Sequence, residues 1–154
     1  MPASPPSAPS IHASCVRIGE HGVLIRGPSG AGKSLLALRL ILDPPRALPP
    51  AELVADDRVL LEAAQGTLTA RAPAALAGII EVRHLGLRRV PHLFSVKVNM
   101  VVDLSAADVN RLPPAEAESV TLNGIKVSRV AVPEAGDAAL LLAAALVTTP
   151  VPPS

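Results

Sequence analysis

The stretch from residue 27 to residue 34 carries the most specific chemistry in this sequence. It reads Gly27-Pro28-Ser29-Gly30-Ala31-Gly32-Lys33-Ser34 and fits the phosphate-loop pattern G-x-x-x-x-G-K-[ST]. In such a loop, backbone N–H groups surround a polyphosphate, the lysine reaches its β- and γ-phosphates, and the serine hydroxyl binds Mg²⁺. The sequence therefore predicts a nucleotide phosphate site, here called the phosphate loop.

The segments on either side of the phosphate loop are those that must position it. The apolar run Gly22-Val23-Leu24-Ile25 before it is typical of a β-strand, and the Leu-rich run from 35 to 42 after it is a good helix former. A helix that begins at the loop directs its positive N-terminal end towards bound phosphate. The context thus predicts a strand, an anion-binding loop and a helix in succession.

Two adjacent carboxylates follow a second apolar segment. Asp56 and Asp57 come after Leu53-Val54-Ala55, and neighbouring residues on an extended strand direct their side chains to opposite sides. One aspartate can therefore face Mg²⁺ while the other accepts the proton of an incoming hydroxyl, as a kinase requires. The alternative is an Asp-Asp turn that opens a hairpin.

Other candidate groups are less specific. The stretch Glu81–Arg89 contains one carboxylate, three arginines and His84, and could complete a metal site and hold a phosphoryl group; the alternative is a solvated basic surface. His12 and Arg111 could equally be a histidine at the start of a strand and an arginine at the end of a helix.

Composition limits the class of protein. The 154 residues are 49% apolar but only 1% aromatic, and 14 basic residues stand against 13 acidic ones, so no large positive field favours nucleic acid. A lone cysteine, Cys15, excludes an intrachain disulfide and favours the cytoplasm. The longest apolar run, 138–148, is shorter than the ~20 residues of a membrane span. We expect one domain over residues 11–147, with disordered tails at 1–10 and 148–154.

The pattern along the chain predicts an α/β fold. Turn signals at Gln65-Gly66 and Asn123-Gly124 predict two hairpins. The remaining expectations are a strand over 11–19 that has His12 at its start, a proline-rich connector over 43–50, a short strand from 79 that runs into a loop, a strand over 93–104, a short helix capped by Ser105 and ending at Arg111, and a last helix over 136–147.

Four segments together resemble one family. His12, the phosphate loop, residues 53–59 and residues 81–87 are similar, in order and spacing, to the HPr kinase/phosphorylase family. The resemblance covers about residues 11–137. It implies a P-loop α/β domain similar to phosphoenolpyruvate carboxykinase, with a mixed sheet, and a hexamer. It also implies an enzyme that uses ATP and Mg²⁺ to phosphorylate a serine of HPr, the phosphocarrier of the sugar phosphotransferase system, and reverses this with inorganic phosphate.

The resemblance also implies roles for single residues. Asp57 is similar to the family's acid/base and Lys33 to its phosphate-binding lysine. Ser34 and Glu81 match its magnesium positions, beside Asp56, which the residue pattern alone assigns to the metal. His12 and Arg111 match a catalytic histidine and an active-site arginine.

The sequence also departs from the family pattern. His84 replaces the first glycine of Glu-Ile-Arg-Gly-Leu-Gly, and the family's separate N-terminal domain is expected to be missing, as in its short forms. Residues 132–137 lack the arginines that the family carries there, which predicts a kinase with weak or absent phosphorylase activity. Arg83, Arg88, Arg89 or Arg129 would have to supply the missing charge.

Two other functions stay open on sequence alone. One is a nucleotide-binding regulatory switch, and the other is a small-molecule kinase on the same scaffold. A GTPase is disfavoured because no Asn-Lys-x-Asp motif occurs.

Overall fold

A mixed β-sheet positions the phosphate loop. The computed structural model describes residues 9–111 and 113–151, and within them nine strands form one sheet in the order β1-β5-β6-β9-β3-β2-β4, with β11 paired to both β9 and β10. Strands β7 and β8 form a separate hairpin. The strands are β1 (Ser10–His12), β2 (Ser14–Ile18), β3 (His21–Arg26), β4 (Glu52–Ala55), β5 (Arg58–Ala64), β6 (Thr67–Arg71), β7 (Ile79–Val82), β8 (Gly86–Arg89), β9 (Val96–Asp103), β10 (Ser119–Leu122) and β11 (Ile125–Ala131).

Strand β9 is the centre of the sheet. It pairs in parallel with β3 on one side and with β11 on the other, while its first residues pair antiparallel with β6. Asp103 at its end lies opposite both Arg26 and Ala131. The carboxyl ends of the three parallel strands therefore meet at one edge, which is where ligands bind in open α/β sheets.

Two helices cover one face of this sheet in the described part of the chain, α1 (Lys33–Leu42) and α2 (Ala138–Val147). On β3, Val23 and Ile25 pack with these helices, whereas Leu24 between them packs into a second apolar cluster on the opposite face. This is the period-two alternation of a strand buried on both faces. Aliphatic side chains fill both clusters, and Phe94 is 80% exposed.

Most of the predicted elements are present. Both hairpins turn at Gln65-Gly66 and Asn123-Gly124, residues 43–50 contain neither helix nor strand, and the last helix ends at Val147 as predicted. The mixed α/β class is confirmed. Of the predicted tails, residues 1–8 and 152–154 lie outside the described ranges, residues 148–151 contain neither helix nor strand, and Ser10 belongs to strand β1 instead of a tail. No helix in the described ranges has the length and apolar character that crossing a membrane requires.

Three local predictions are wrong. Residues 105–111 form bends and turns instead of a helix, and Ser105 has a φ of 52°, outside the extended region that a serine at an N-cap typically adopts. The expected loop at 86–89 is strand β8, because the turn at His84 and Gly86, with φ of 73° and 101°, folds it back onto β7. His12 ends a strand instead of starting one, since the chain breaks at Ala13 between β1 and β2.

Candidate functional site

The phosphate loop joins β3 to α1 at the carboxyl edge of the parallel strands. Gly30 and Gly32 have φ of 83° and 97°, in the left-handed region that favours glycine. A Cβ on Gly27 would lie 3.0 Å from the Cβ of Leu104 and 3.2 Å from that of Ala31, so this position is too tight for a side chain without displacement. The pattern of glycines therefore follows from the backbone that the loop adopts.

The start of α1 is free to face an anion. Gly32 at the N-cap provides no side-chain hydrogen bond, and the first turn carries no acidic residue. Lys33 is the first helical residue, and its Nζ donates to the carbonyl oxygens of Gly27 at 2.8 Å and Pro28 at 3.2 Å. The lysine charge thus lies against the loop, where a bound phosphate would meet it together with the helix N-terminus.

Asp56 connects three elements of the site. Its Oδ1 accepts hydrogen bonds from the hydroxyls of Ser34 at 2.6 Å and Ser14 at 2.7 Å, and its Oδ2 accepts the backbone N–H of Glu81 at 3.0 Å. Asp56 is only 3% exposed, so these three donors replace the water that a buried carboxylate loses. The carboxylate therefore fixes the phosphate-loop serine against β2 and β7.

Asp57 has the opposite environment. Its side chain is 63% exposed, and its φ of 67° lies in a region that aspartate and asparagine tolerate. His12 Nδ1 is 3.8 Å from Asp57 Oδ1, and the histidine is equally exposed. The two adjacent aspartates thus diverge, one into the interior beside Ser34 and the other into solvent beside His12.

The structure groups some of the predicted residues and leaves others apart. Glu81 reaches Asp56 through its backbone, while its side chain is exposed. Arg111 lies in an exposed bend, and within 9–111 and 113–151 no hydrogen bond or ion pair connects it to another predicted site residue. Its role remains a prediction from the resemblance.

An ion-pair cluster beside the site was missed by the sequence analysis. Arg26, the residue before the phosphate loop, donates to both carboxylate oxygens of Asp103 at 2.7 and 2.8 Å. Arg129 Nε donates to Asp103 at 2.5 Å, and its two terminal nitrogens each donate to Asp108 at 2.9 Å. The signals in the sequence are limited to Arg26 and Asp103, the charged residues that end the apolar strands β3 and β9.

This cluster fixes the charge states of its members. Burial favours the neutral form of Asp103, but the hydrogen bonds and charges of Arg26 and Arg129 outweigh it and hold the pKa of Asp103 below its usual value. Hydrogen bonds from Arg129 also lower the pKa of Asp108, and the two carboxylates raise the pKa of Arg129. Arg129 is therefore committed to these partners.

Asp103→Asn should destabilise the fold at neutral pH by about 3 kcal/mol, because it leaves the partly buried guanidinium of Arg26 without a counter-charge and leaves that of Arg129 with Asp108 alone. Since the folded pKa of Asp103 is depressed, its contribution is present above the unfolded pKa of about 3.9 and disappears as pH falls through the lower folded value. Urea unfolding of both proteins from pH 7 to below pH 4 measures this difference.

Asp43→Asn is the matched control for that experiment. Asp43 pairs with Arg39 on the helix surface and its side chain is 84% exposed, so we expect a change of about 0.5 kcal/mol or less. If Asp103→Asn lowers the free energy of unfolding by no more than Asp43→Asn does, the structural role of the cluster is contradicted.

The side chains at this site suit Mg²⁺, which takes part of its coordination shell from phosphates and water, better than they suit a metal ion that is coordinated by protein side chains alone. In the described ranges, no three or more His, Cys, Asp or Glu side chains gather into a metal cage. A serine hydroxyl and a carboxylate 2.6 Å apart at a phosphate loop are what Mg²⁺ uses when substrate phosphates and water complete its shell. Ser34 and Asp56 therefore fit such an ion.

These features define a mixed α/β domain with a phosphate loop at the carboxyl edge of its parallel strands. The sequence model of the family described as HPr Serine kinase C-terminal domain matches residues 6–149. This chain belongs to that family.

Individual proteins agree with this assignment. An HPr kinase/phosphorylase of Clostridium acetobutylicum is 33% identical over 134 residues, covering 80% of this chain and 42% of the relative. One from an Azoarcus species is 36% identical over 155 residues, covering 91% and 47%. The solved structure of the Hpr(Ser) kinase/phosphatase from Coxiella burnetii superposes with a TM-score of 0.67 at 26% identity, covering 81% of this chain and 85% of that one. The chain spans less than half the length of both curated relatives.

Proposed function

We propose that this chain is an ATP- and Mg²⁺-dependent protein-serine kinase that phosphorylates an HPr-like phosphocarrier. Its family and its relatives' names support this class of reaction. The observation that carries the proposal is the divergence of the two aspartates: Asp56 is buried and bonded to Ser34, and Asp57 is exposed. From the family resemblance we also infer a fold like that of phosphoenolpyruvate carboxykinase, a homohexamer and a cytoplasmic location.

The exposure of Asp57 favours a protein as the acceptor. A serine on the surface of a folded protein cannot enter a closed cavity, so the base that receives its proton must be accessible from solvent. Asp57 meets this condition, with His12 beside it. In the proposed reaction, Asp57 accepts the hydroxyl proton as the serine oxygen bonds to the γ-phosphorus. The bond from that phosphorus to the bridging oxygen breaks, and ADP leaves.

The other residues hold the nucleotide. Lys33 and the N-terminal N–H groups of α1 provide positive charge for the β- and γ-phosphates. Ser34 and Asp56 would hold Mg²⁺, which neutralises phosphate charge when bound, and Glu81 is the third proposed ligand, from the family resemblance. Arg111 is the proposed further cation, on the strength of the resemblance alone.

The deciding experiment incubates the chain with γ-labelled ATP, Mg²⁺ and the HPr-like proteins of the same organism. We expect acid-stable phosphate on one of them, and none on a variant whose acceptor serine is replaced by alanine. ATP bound without turnover would instead favour the regulatory switch. ATP turnover that places the label on a small molecule and none on an HPr-like protein would favour the small-molecule kinase.

The reverse reaction is expected to be weak. Phosphorolysis requires inorganic phosphate to bind near a phosphoserine, and one hydrogen bond to a charged group contributes about 1.5–3 kcal/mol. Residues 132–137 contain Glu134 and Asp137 and no basic residue, and Arg129 is only 12% exposed and paired with two carboxylates. The exposed arginines Arg83, Arg88 and Arg89 are the remaining candidates.

The measurement is pyrophosphate formed from serine-phosphorylated HPr and millimolar phosphate. We expect pyrophosphate to form at no more than about a tenth of the rate at which the same preparation phosphorylates HPr. A factor of about ten corresponds to the loss of one hydrogen bond to a charged group. Equal rates in the two directions would show that the acidic segment does not determine the direction.

A further inference from the structure

Strand β2 carries a serine at a position where the neighbouring residues on the same face are apolar. Ser14, Val16 and Ile18 alternate along the strand, and the last two pack in the apolar cluster that α1 covers. The period-two alternation of a strand therefore directs the Ser14 side chain to the α1 side of the sheet. Ser14 is 0% exposed. Burial of a hydroxyl at such a position is unfavourable unless a hydrogen bond compensates for the lost water.

Asp56 accepts that hydrogen bond. Within residues 9–111 and 113–151, Ser14 and Asp56 are the two polar or charged residues that are buried, and the Ser14 hydroxyl donates to Asp56 Oδ1 at 2.7 Å. The hydroxyl of Ser34 donates to the same oxygen at 2.6 Å, while Asp56 Oδ2 accepts the backbone N–H of Glu81. A strand serine and the phosphate-loop serine therefore share one carboxylate oxygen.

The Ser14 hydroxyl limits the orientations that the Asp56 carboxylate can adopt. Rotation of the carboxylate would break the hydrogen bond from Ser14 on one oxygen and that from Glu81 on the other, so Oδ1 stays within reach of Ser34. A hydroxyl has a single proton, and Ser34 donates its proton to Asp56, which directs the oxygen lone pairs of Ser34 away from the carboxylate. Lone pairs in that arrangement suit a cation at the phosphate loop.

The chain around Ser14 contacts both aspartates. His12 lies 3.8 Å from Asp57, and the N–H of Ala13 donates to the carbonyl oxygen of Asp57 at 3.3 Å. Residues 12–14 therefore contact the aspartate pair at three points. The hydrogen bond from Ser14 is the buried one, and it reaches the aspartate that is bonded to Ser34.

We propose that Ser14 is a positioning residue for the cation at the phosphate loop. Its hydroxyl holds Asp56 in the orientation in which Asp56 and Ser34 can bind Mg²⁺ together, and it acts through Asp56 instead of by contact with the nucleotide. The inference rests on the proposed function, because that function requires Mg²⁺ and a nucleotide at this loop. It assigns a role to a residue outside the motifs that the sequence displays.

The test separates nucleotide binding that depends on the cation from binding that does not. Calorimetric titration measures the ATP affinity of each variant with Mg²⁺ and again with EDTA, and the ratio of the two affinities is the readout. Ser14→Ala removes the hydroxyl and should lower this ratio about ten-fold, the factor for one lost hydrogen bond to a charged group. The affinity in EDTA should stay unchanged, because the phosphate loop and Lys33 are unaltered.

Ser14→Thr is the rescue variant. Threonine keeps the hydroxyl and is favoured in strands, so the ratio should equal that of the unaltered chain. Ser14→Cys has a side chain of similar shape but only a weak donor, so it should lower the ratio as Ser14→Ala does. It repeats the measurement if the alanine variant does not fold.

Cys15→Ala is the matched control for loss of one buried atom from β2. Cys15 is also 0% exposed, but it packs in the apolar cluster on the opposite face of the sheet, so its loss should leave the ratio unchanged. Urea unfolding compares the stabilities of the two variants. An unchanged ratio in Ser14→Ala, or an equal fall in Cys15→Ala or Ser14→Thr, would overturn the role of Ser14 while leaving the kinase proposal intact. If the unaltered chain does not bind ATP, the proposed function fails and this inference fails with it.

Discussion

Asp57→Asn should lower the rate of phosphoryl transfer by roughly 10² or more, the scale of a lost general base, while ATP and Mg²⁺ still bind. Asparagine tolerates the positive φ of this position and matches the size of aspartate, so the backbone should be unchanged. The amide cannot accept the serine proton. Single-turnover labelling of the HPr-like acceptor measures transfer, and calorimetric titration with ATP measures binding.

Asp56→Asn is the comparison for that variant. Asp56 accepts three hydrogen bonds inside the site, so this change should weaken nucleotide and Mg²⁺ binding together with turnover. If Asp57→Asn retained full activity and Asp56→Asn had none, the roles that we assign to the two aspartates would be reversed.

Lys33→Ala should reduce turnover by about 10² or more, the scale for removal of one charged or polar group that stabilises a transition state. Lys33 contacts the backbone of its own loop and supports no other element through a hydrogen bond in the described ranges, so the fold should persist. Initial rates over a range of ATP concentrations, with circular dichroism for the fold, check both expectations.

Lys126→Ala serves as the control for loss of a lysine charge, because Lys126 is exposed on β11. Its activity should equal that of the unaltered chain. Full ATP affinity and activity in Lys33→Ala would refute the assignment of the phosphate loop.

Local rules explain what could be predicted. The phosphate loop is recognisable because glycine and lysine spacing encodes a backbone shape within eight residues. Gln65-Gly66 and Asn123-Gly124 likewise encode turns that need no distant partner. The α/β class followed from strand and helix patterns that are legible in short windows.

Distant contacts explain what could not be predicted. The helix expected after Ser105 was inferred from a capping preference of about 1 kcal/mol. In the structure, Arg129 on β11 holds Asp108 of that segment through two charge-assisted hydrogen bonds, a contact across 21 residues that a local capping preference does not include. The hydrogen bond from Ser14 to Asp56 also joins residues far apart in sequence, and no single-sequence pattern signals it. The roles of His12, Glu81 and Arg111 remain predictions.

The central position of β9 also affects how the chain folds as it is synthesised. Strand β3, with the phosphate loop attached, is complete long before its parallel neighbour β9 exists, because Arg26 and its partner Asp103 are 77 residues apart. Until then one edge of an apolar strand lacks its partner, and such edges pair with other chains. Pairing over this distance is also slow. A growing chain therefore exposes this edge of β3 until β9 has been synthesised, and the carboxyl edge that carries the phosphate loop can be completed only after that point.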